Sequence, residues 1–188
     1  MVKVGIDPGH GGVDRKNVGP TGYVEADGVL DMALACREEL IENGYDVVMT
    51  RQEDVTLLVG ERAKILNQAG VDLAVSIHSN AAGDPKVNGI ETIYSIQRNG
   101  LGSVFAKKIA LQLNTDLQRP IRRVFSRESE VSPGKDYYGM IRRTNMPCVI
   151  VEVEFHTNPE AEQLLKSAEF REKAGKSIAK GIMKFMEE

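Results

Sequence analysis

Apolar residues along the chain alternate between short β-branched runs and stretches with helical spacing. Residues 2–6 form a valine-rich run stopped by Asp7-Pro8-Gly9, the pattern of a buried strand feeding a loop. Over residues 27–43 the apolar positions Leu30, Ala33, Leu34, Ala35, Cys36, Leu40 and Ile41 recur at roughly helical spacing, and Asn43-Gly44 supplies the stop. Strands are expected over 45–49 and 71–77, with an amphipathic helix over 56–69, closed by Gly70, between them. Residues 89–96 have strand character, 104–117 helical character, and 148–155 form a strongly β-branched strand. From Pro159 onward the pattern is helical again, with Phe170, Ala174, Ile178, Ile182 and Phe185 making one core face. The stretch 118–136, carrying Arg119, Arg122, Arg123, Arg127 and Lys135, has neither period and is expected to be a long irregular segment, often a binding loop or lid.

These elements predict an α/β fold: a single open, mostly parallel twisted sheet with helices on both faces. At 188 residues the chain has the length of one domain, so 1–188 is expected to be a single unit. With 41% hydrophobic residues against 27% charged, the composition suits a packed core and excludes a disordered chain. The 24 basic and 27 acidic residues leave a formal charge of −3 with no long basic run, so nucleic acid is not an expected partner. No segment approaches the ~18 apolar residues of a membrane span. The first apolar run is too short for a signal sequence, so synthesis in the cytoplasm without a recognisable signal peptide is expected. An extracellular role would then need another exit route or a removed leader. Cys36 and Cys148, distant in sequence and each in an apolar stretch, are expected to be buried free thiols. With three histidines and two cysteines the usual structural zinc frameworks are not available, and any metal site must recruit carboxylates.

In an open parallel sheet, ligands collect at the carboxyl ends of the strands. His10 follows the first strand within Asp7-Pro8-Gly9-His10-Gly11-Gly12, and His78 ends the third within Ser76-Ile77-His78-Ser79-Asn80. A lone loop histidine is most often a hydrogen-bonded structural residue, but two at one sheet edge point to a shared site. Glu152 and Glu154 lie in the second half of an apolar strand, where an unpaired carboxylate costs several kcal/mol. Alternation places both on the same face, so at least one is expected to meet a metal, a cation or a catalytic proton, unless the strand is a solvated edge. Two histidines are too few for catalytic zinc, which takes three protein ligands and keeps an open position. His156, on the face of the two glutamates if the strand continues, and Glu25, just before the first helix, are both candidates for the third. Spacing leaves that choice open.

A series of motifs spans nearly the whole chain. It begins with Val4-Gly5-Ile6-Asp7-Pro8-Gly9-His10-Gly11-Gly12 and Gly22-Tyr23-Val24-Glu25-Ala26, followed by Thr50-Arg51 and Glu61-Arg62 with Asn67. It continues through Ser76-Ile77-His78-Ser79-Asn80-Ala81 and Asn88-Gly89-Ile90-Glu91-Thr92-Ile93-Tyr94, and ends with 146–159, which contains Val151-Glu152-Val153-Glu154-Phe155-His156. Taken in this order it resembles the zinc-dependent N-acetylmuramoyl-L-alanine amidases of the amidase-3 family, which cleave bacterial peptidoglycan and include autolysins, spore-lytic enzymes and phage endolysins. The resemblance implies that His10, Glu25 and His78 hold Zn2+ and that Glu152 is the catalytic acid and base. The zinc would activate a water and polarise the amide carbonyl, and Glu152 would shuttle the proton to the leaving amine. Where the family commonly has a glycine two residues after the catalytic glutamate, this chain has Glu154, a second carboxylate expected to raise the pKa of Glu152 by like-charge repulsion. His156 stands at a position usually apolar in the family and is expected to be structural or at the surface. The arginines of 118–136 could meet stem-peptide carboxylates. The absence of tryptophan argues against an additional carbohydrate-binding module, so a wall-binding domain, if there is one, is expected outside this chain, and the protein is expected to act on the wall after release. The competing readings are a zinc peptidase acting on stem peptides and a non-catalytic wall-binding module. Gly9-His10-Gly11-Gly12 matches no phosphate-binding glycine motif.

Overall fold

The computed structural model describes residues 2–97 and 99–187, Asn99 by its backbone alone. Among these residues six strands, β1 (Lys3–Pro8), β2 (Asp46–Met49), β3 (Leu73–Asn80), β4 (Ile90–Tyr94), β5 (Ile121–Ser126) and β6 (Cys148–Phe155), form one open sheet in the order β2-β1-β3-β6-β4-β5. β2, β1, β3 and β6 run parallel, while β4 pairs antiparallel with β6 and carries β5 parallel to itself. The expected open, mostly parallel α/β sheet is therefore present, with one reversal. Its cause is the connection between β3 and β4, residues 81–89, which is too short for the crossover a parallel neighbour needs.

Among the described residues there are six helices: α1 (Glu25–Glu42), α2 (Val59–Ala69), α3 (Asn99–Leu117), α4 (Gly139–Arg143), α5 (Pro159–Lys166) and α6 (Ala168–Met186). Alternation along the central strands divides the core. Val4, Ile6, Val75, Ile77, Val149, Val151 and Val153 pack against α1, α3 and α6 through Met32, Phe105, Ile109 and Ile178. The opposite face meets α2 and α4 through Ala63, Leu66, Ala74, Met140 and Cys148, with Ile93, Ile141 and Ile150 beside them. The helix from Pro159 onward is in fact two, because Ser167 leaves helical geometry and its side chain accepts the Phe170 N–H to cap α6. Cys36 and Cys148 are both buried and are not joined in a disulfide. No helix among the described residues is long and apolar enough to cross a membrane.

Two bulges correct the sequence-based pattern. The stretch 118–136 is not irregular throughout, since β5 lies inside it. Ile90 pairs with Ile121 but Glu91 with Arg123, so Arg122 is an extra residue in β5, and the bulge destroys the two-residue period by which a strand is recognised. In β6, His78 pairs with Glu152 but Asn80 with Phe155, again one residue more on one strand than on its partner. Alternation therefore fails between Glu152 and Glu154, and the expectation that they share one face does not hold.

Candidate active site and metal centre

The loop after β1 is held from below by charge. Asp7, buried at the strand end, accepts hydrogen bonds from Thr50 Oγ1 (2.6 Å), Ser76 Oγ (2.6 Å) and Arg62 Nη1 (3.0 Å). Arg62 also donates to the carbonyls of Pro8 (2.6 Å) and His10 (2.5 Å), and Arg51 to those of Pro8 (3.0 Å), Gly9 (2.7 Å) and Ala26 (2.7 Å). Two guanidiniums thus satisfy loop carbonyls that have left the sheet ladder, as buried backbone oxygens require. So restrained, His10 keeps a left-handed backbone, φ 57°, which costs a non-glycine residue about 1–3 kcal/mol. Gly9 makes room for the facing histidine: a Cβ there would lie 2.1 Å from His78 Cε1.

His10, Glu25 and His78 come together. One potential ligand atom from each lies within 4.8 Å of the others, so the trio could hold a metal ion. His10 Nε2 is 3.3 Å and His78 Nδ1 3.1 Å from the same oxygen, Glu25 Oε1. Two donors bound at about 2.05 Å to one tetrahedral ion sit about 3.3 Å apart, so the spacing and the donor chemistry both fit zinc. His156, the other candidate for third ligand, is not in the group. It is buried with its Nδ1 3.1 Å from Ser79 Oγ, and its backbone N–H donates to Asn80 O.

Surrounding groups orient the trio. Glu25 is the first residue of α1, where the helix dipole favours a carboxylate, and it accepts from Ser79 N (3.0 Å) and Asn17 Nδ2 (2.9 Å). Asp14 Oδ2 lies 2.8 Å from His10 Nδ1, on the far side of the ring from Glu25. Burial opposes ionisation of Glu25, but the contacts with His10 and His78 win and hold its pKa far below the ordinary carboxylate value. Burial likewise disfavours a charged His78, yet Glu25, followed by Glu152, raises it to about 9.

Glu152, the β6 partner of His78, behaves in the opposite way. Its Oε2 is sealed from solvent and makes no hydrogen bond among the described residues. Burial pushes its pKa up to about 7; His78 opposes the rise, and Glu25 and Glu91 add to it. Glu154 does not contribute as expected. It accepts from Gly89 N (2.8 Å) and is paired with Arg119, so its charge is spent within the fold. The neighbouring carboxylate across the strand is Glu91, the antiparallel partner of Glu152. Asp14, Asn17 and Glu91 were not singled out from sequence. Glu91 had a usable signal, because it sits in an apolar strand just as Glu152 does.

Three donors for one cation, beside a carboxyl that keeps its proton up to near neutrality, are the equipment of a metal-assisted hydrolase. Comparison with known proteins narrows this class. The family model Amidase_3, N-acetylmuramoyl-L-alanine amidase, matches residues 4–184. The chain is 29% identical to the N-acetylmuramoyl-L-alanine amidase AmiA of Escherichia coli, over 96% of this chain and 74% of that protein. Among solved structures, Cwp6 from Clostridium difficile superposes with a TM-score of 0.92 at 34% identity, covering 97% of this chain and 29% of its own. The catalytic domain of the amidase CwlV from Bacillus (Paenibacillus) polymyxa gives 0.88 at 29% identity, covering 100% of this chain and 99% of that domain. The chain belongs to the amidase-3 family of N-acetylmuramoyl-L-alanine amidases.

Proposed function

We propose that this chain hydrolyses the amide joining N-acetylmuramic acid to L-alanine in bacterial peptidoglycan, with zinc held by His10, Glu25 and His78 and with Glu152 as acid and base. The observation that carries this is the convergence of two imidazole nitrogens on Glu25 Oε1 beside Glu152, whose Oε2 has no hydrogen-bond partner among the described residues. Bound zinc supplies an electrophile for the amide carbonyl and lowers the pKa of a water towards ~7. Glu152 takes a proton from the attacking water and returns it to the amide nitrogen as the C–N bond breaks, leaving a lactyl carboxylate and a free amino terminus on L-alanine. Burial of the Glu152 side chain favours its protonated form, the form that hands the proton to nitrogen. The place of action would be the cell wall, with any wall-binding module on a separate segment.

Mass spectrometry of purified peptidoglycan digested with the protein tests the bond cleaved. New amino termini on L-alanine are expected. New termini between stem residues would instead identify a peptidase, and none at all a binding module.

Asp14 gives a subtler prediction. Removing the partner of a metal-bound imidazole typically weakens metal affinity about 10- to 100-fold. Asp14→Ala is therefore expected to lose zinc to a competing chelator at correspondingly lower chelator concentration, with an unchanged circular dichroism spectrum. Equal retention by variant and wild type would show that Arg51, Arg62 and Gly9 already orient the ring.

A further inference from the structure

The bulge in β5 delivers Arg122 and Arg123 to one carboxylate. Glu91, 2% exposed, accepts from Arg123 Nε (2.8 Å) and Nη2 (3.0 Å) and is also paired with Arg122. Asn80 Nδ2 donates to it from the other side at 3.0 Å. Two guanidiniums share this one carboxylate; Glu154 is committed to Arg119, and Glu152, the cross-strand partner of Glu91, forms no ion pair with either arginine among the described residues. If Glu91 needed only neutralising, one arginine would serve.

Both guanidiniums keep donors to spare. Arg123 is 52% and Arg122 38% exposed, and Arg123 Nη1 and Arg122 Nη2 have no hydrogen bond among the described residues. Neither is a free-swinging surface side chain. Arg123 lies over the Phe125 ring, 4.3 Å from its centroid, and Arg122 over that of Phe155 at 5.7 Å. Their planes are set before any ligand arrives, which lowers the entropic cost of a bidentate contact.

The position matches a particular carboxylate. Glu91 is the cross-strand partner of Glu152, and strands lie about 4.8 Å apart, so the arginines are one to two strand spacings from the proposed acid and base. A peptide extends about 3.3–3.6 Å per residue. In a stem that begins with L-alanine and continues with isoglutamate, linked through its side chain, the free α-carboxylate falls about two residues, roughly 7 Å, from the scissile nitrogen.

Resting on the amidase reading above, we infer that Arg122 and Arg123 form a carboxylate-recognising subsite for the second stem residue and make the enzyme prefer stems with free isoglutamate over amidated isoglutamine. The test compares two chemically defined glycan-peptide fragments that differ only in that group, by their kcat/KM. A charge-assisted bidentate contact predicts a preference of roughly 10- to 100-fold for the acid, carried mainly by KM and shrinking as salt rises. Arg123→Gln is expected to bring the two values within about twofold of each other, and Arg123→Lys, which keeps charge without the fork, to retain part of the preference. A variant that was merely destabilised would lower both rates and leave their ratio intact, which would count against the subsite. Equal kcat/KM for the two fragments with the wild-type protein would overturn the subsite and leave the amidase reading standing. Cleavage of neither would remove both.

Discussion

Glu152→Gln is expected to slow amide hydrolysis by about 10²–10⁴-fold, the usual worth of a positioned proton-transfer group, while the protein still binds zinc in full. Glutamine keeps the shape of the side chain but cannot accept the proton from water. The acidic limb of the pH–rate profile should disappear with it, and release of amino termini from purified peptidoglycan reads both effects. Stability should move the other way. In the metal-free protein the Glu152 carboxyl has a folded pKa near 7, because burial disfavours its charge, against an ordinary value of 4.5. The folded state binds this proton more tightly than the unfolded state, so its contribution is full below about 4.5 and is lost as pH rises towards 7. Melting curves with chelator present should show the variant gaining on wild type across that window and no further above it. Normal hydrolysis by Glu152→Gln would transfer the acid and base role to another residue.

Gly9→Ala should be nearly as damaging, through one methyl group. Its Cβ would stand 2.1 Å from His78 Cε1 and 2.5 Å from Nδ1, well inside van der Waals contact. The loop cannot yield easily, since the Gly9 N–H donates to Ile77 O at 3.0 Å and its carbonyl is held by Arg51. The His78 ring must therefore turn away from Glu25. A displacement of about 1 Å at a reacting centre can cost 10²-fold, and here it also separates two of the three proposed ligands. Zinc content after dialysis and activity are both expected to fall about 100-fold or more, with the helical circular dichroism signal retained. Full zinc occupancy with normal activity would mean that the ring has a second position from which to bind.

How far the sequence foretold the site depended on whether each residue's signal was local. His10 and His78 follow recognisable strands, and Glu152 stood out as a charge inside a β-branched run. Glu25 had no such mark. It lies 53 residues before His78, reaches it only because α1 starts at the sheet rim, and was assigned through family resemblance. The strand β5 and the divergence of Glu152 from Glu154 were hidden for one reason: each involves a single inserted residue that a periodicity count cannot detect. Arg51 and Arg62 could be noticed only as motif positions, because the carbonyls of Pro8, Gly9 and His10 that they hold lie more than forty positions away.

The strand order also has a bearing on how the molecule assembles. β6 occupies the middle of the sheet yet is the last strand to be made, so before it arrives β2-β1-β3 and β4-β5 are two separate ribbons. Joining them requires contacts between distant parts of the chain, the kind that form slowly. His10, Glu25 and His78 all precede residue 80, whereas Glu152 arrives with the strand that closes the gap. During synthesis the residues proposed to capture the metal exist well before the group proposed to move the proton, so hydrolytic competence is withheld until the two ribbons have become one sheet.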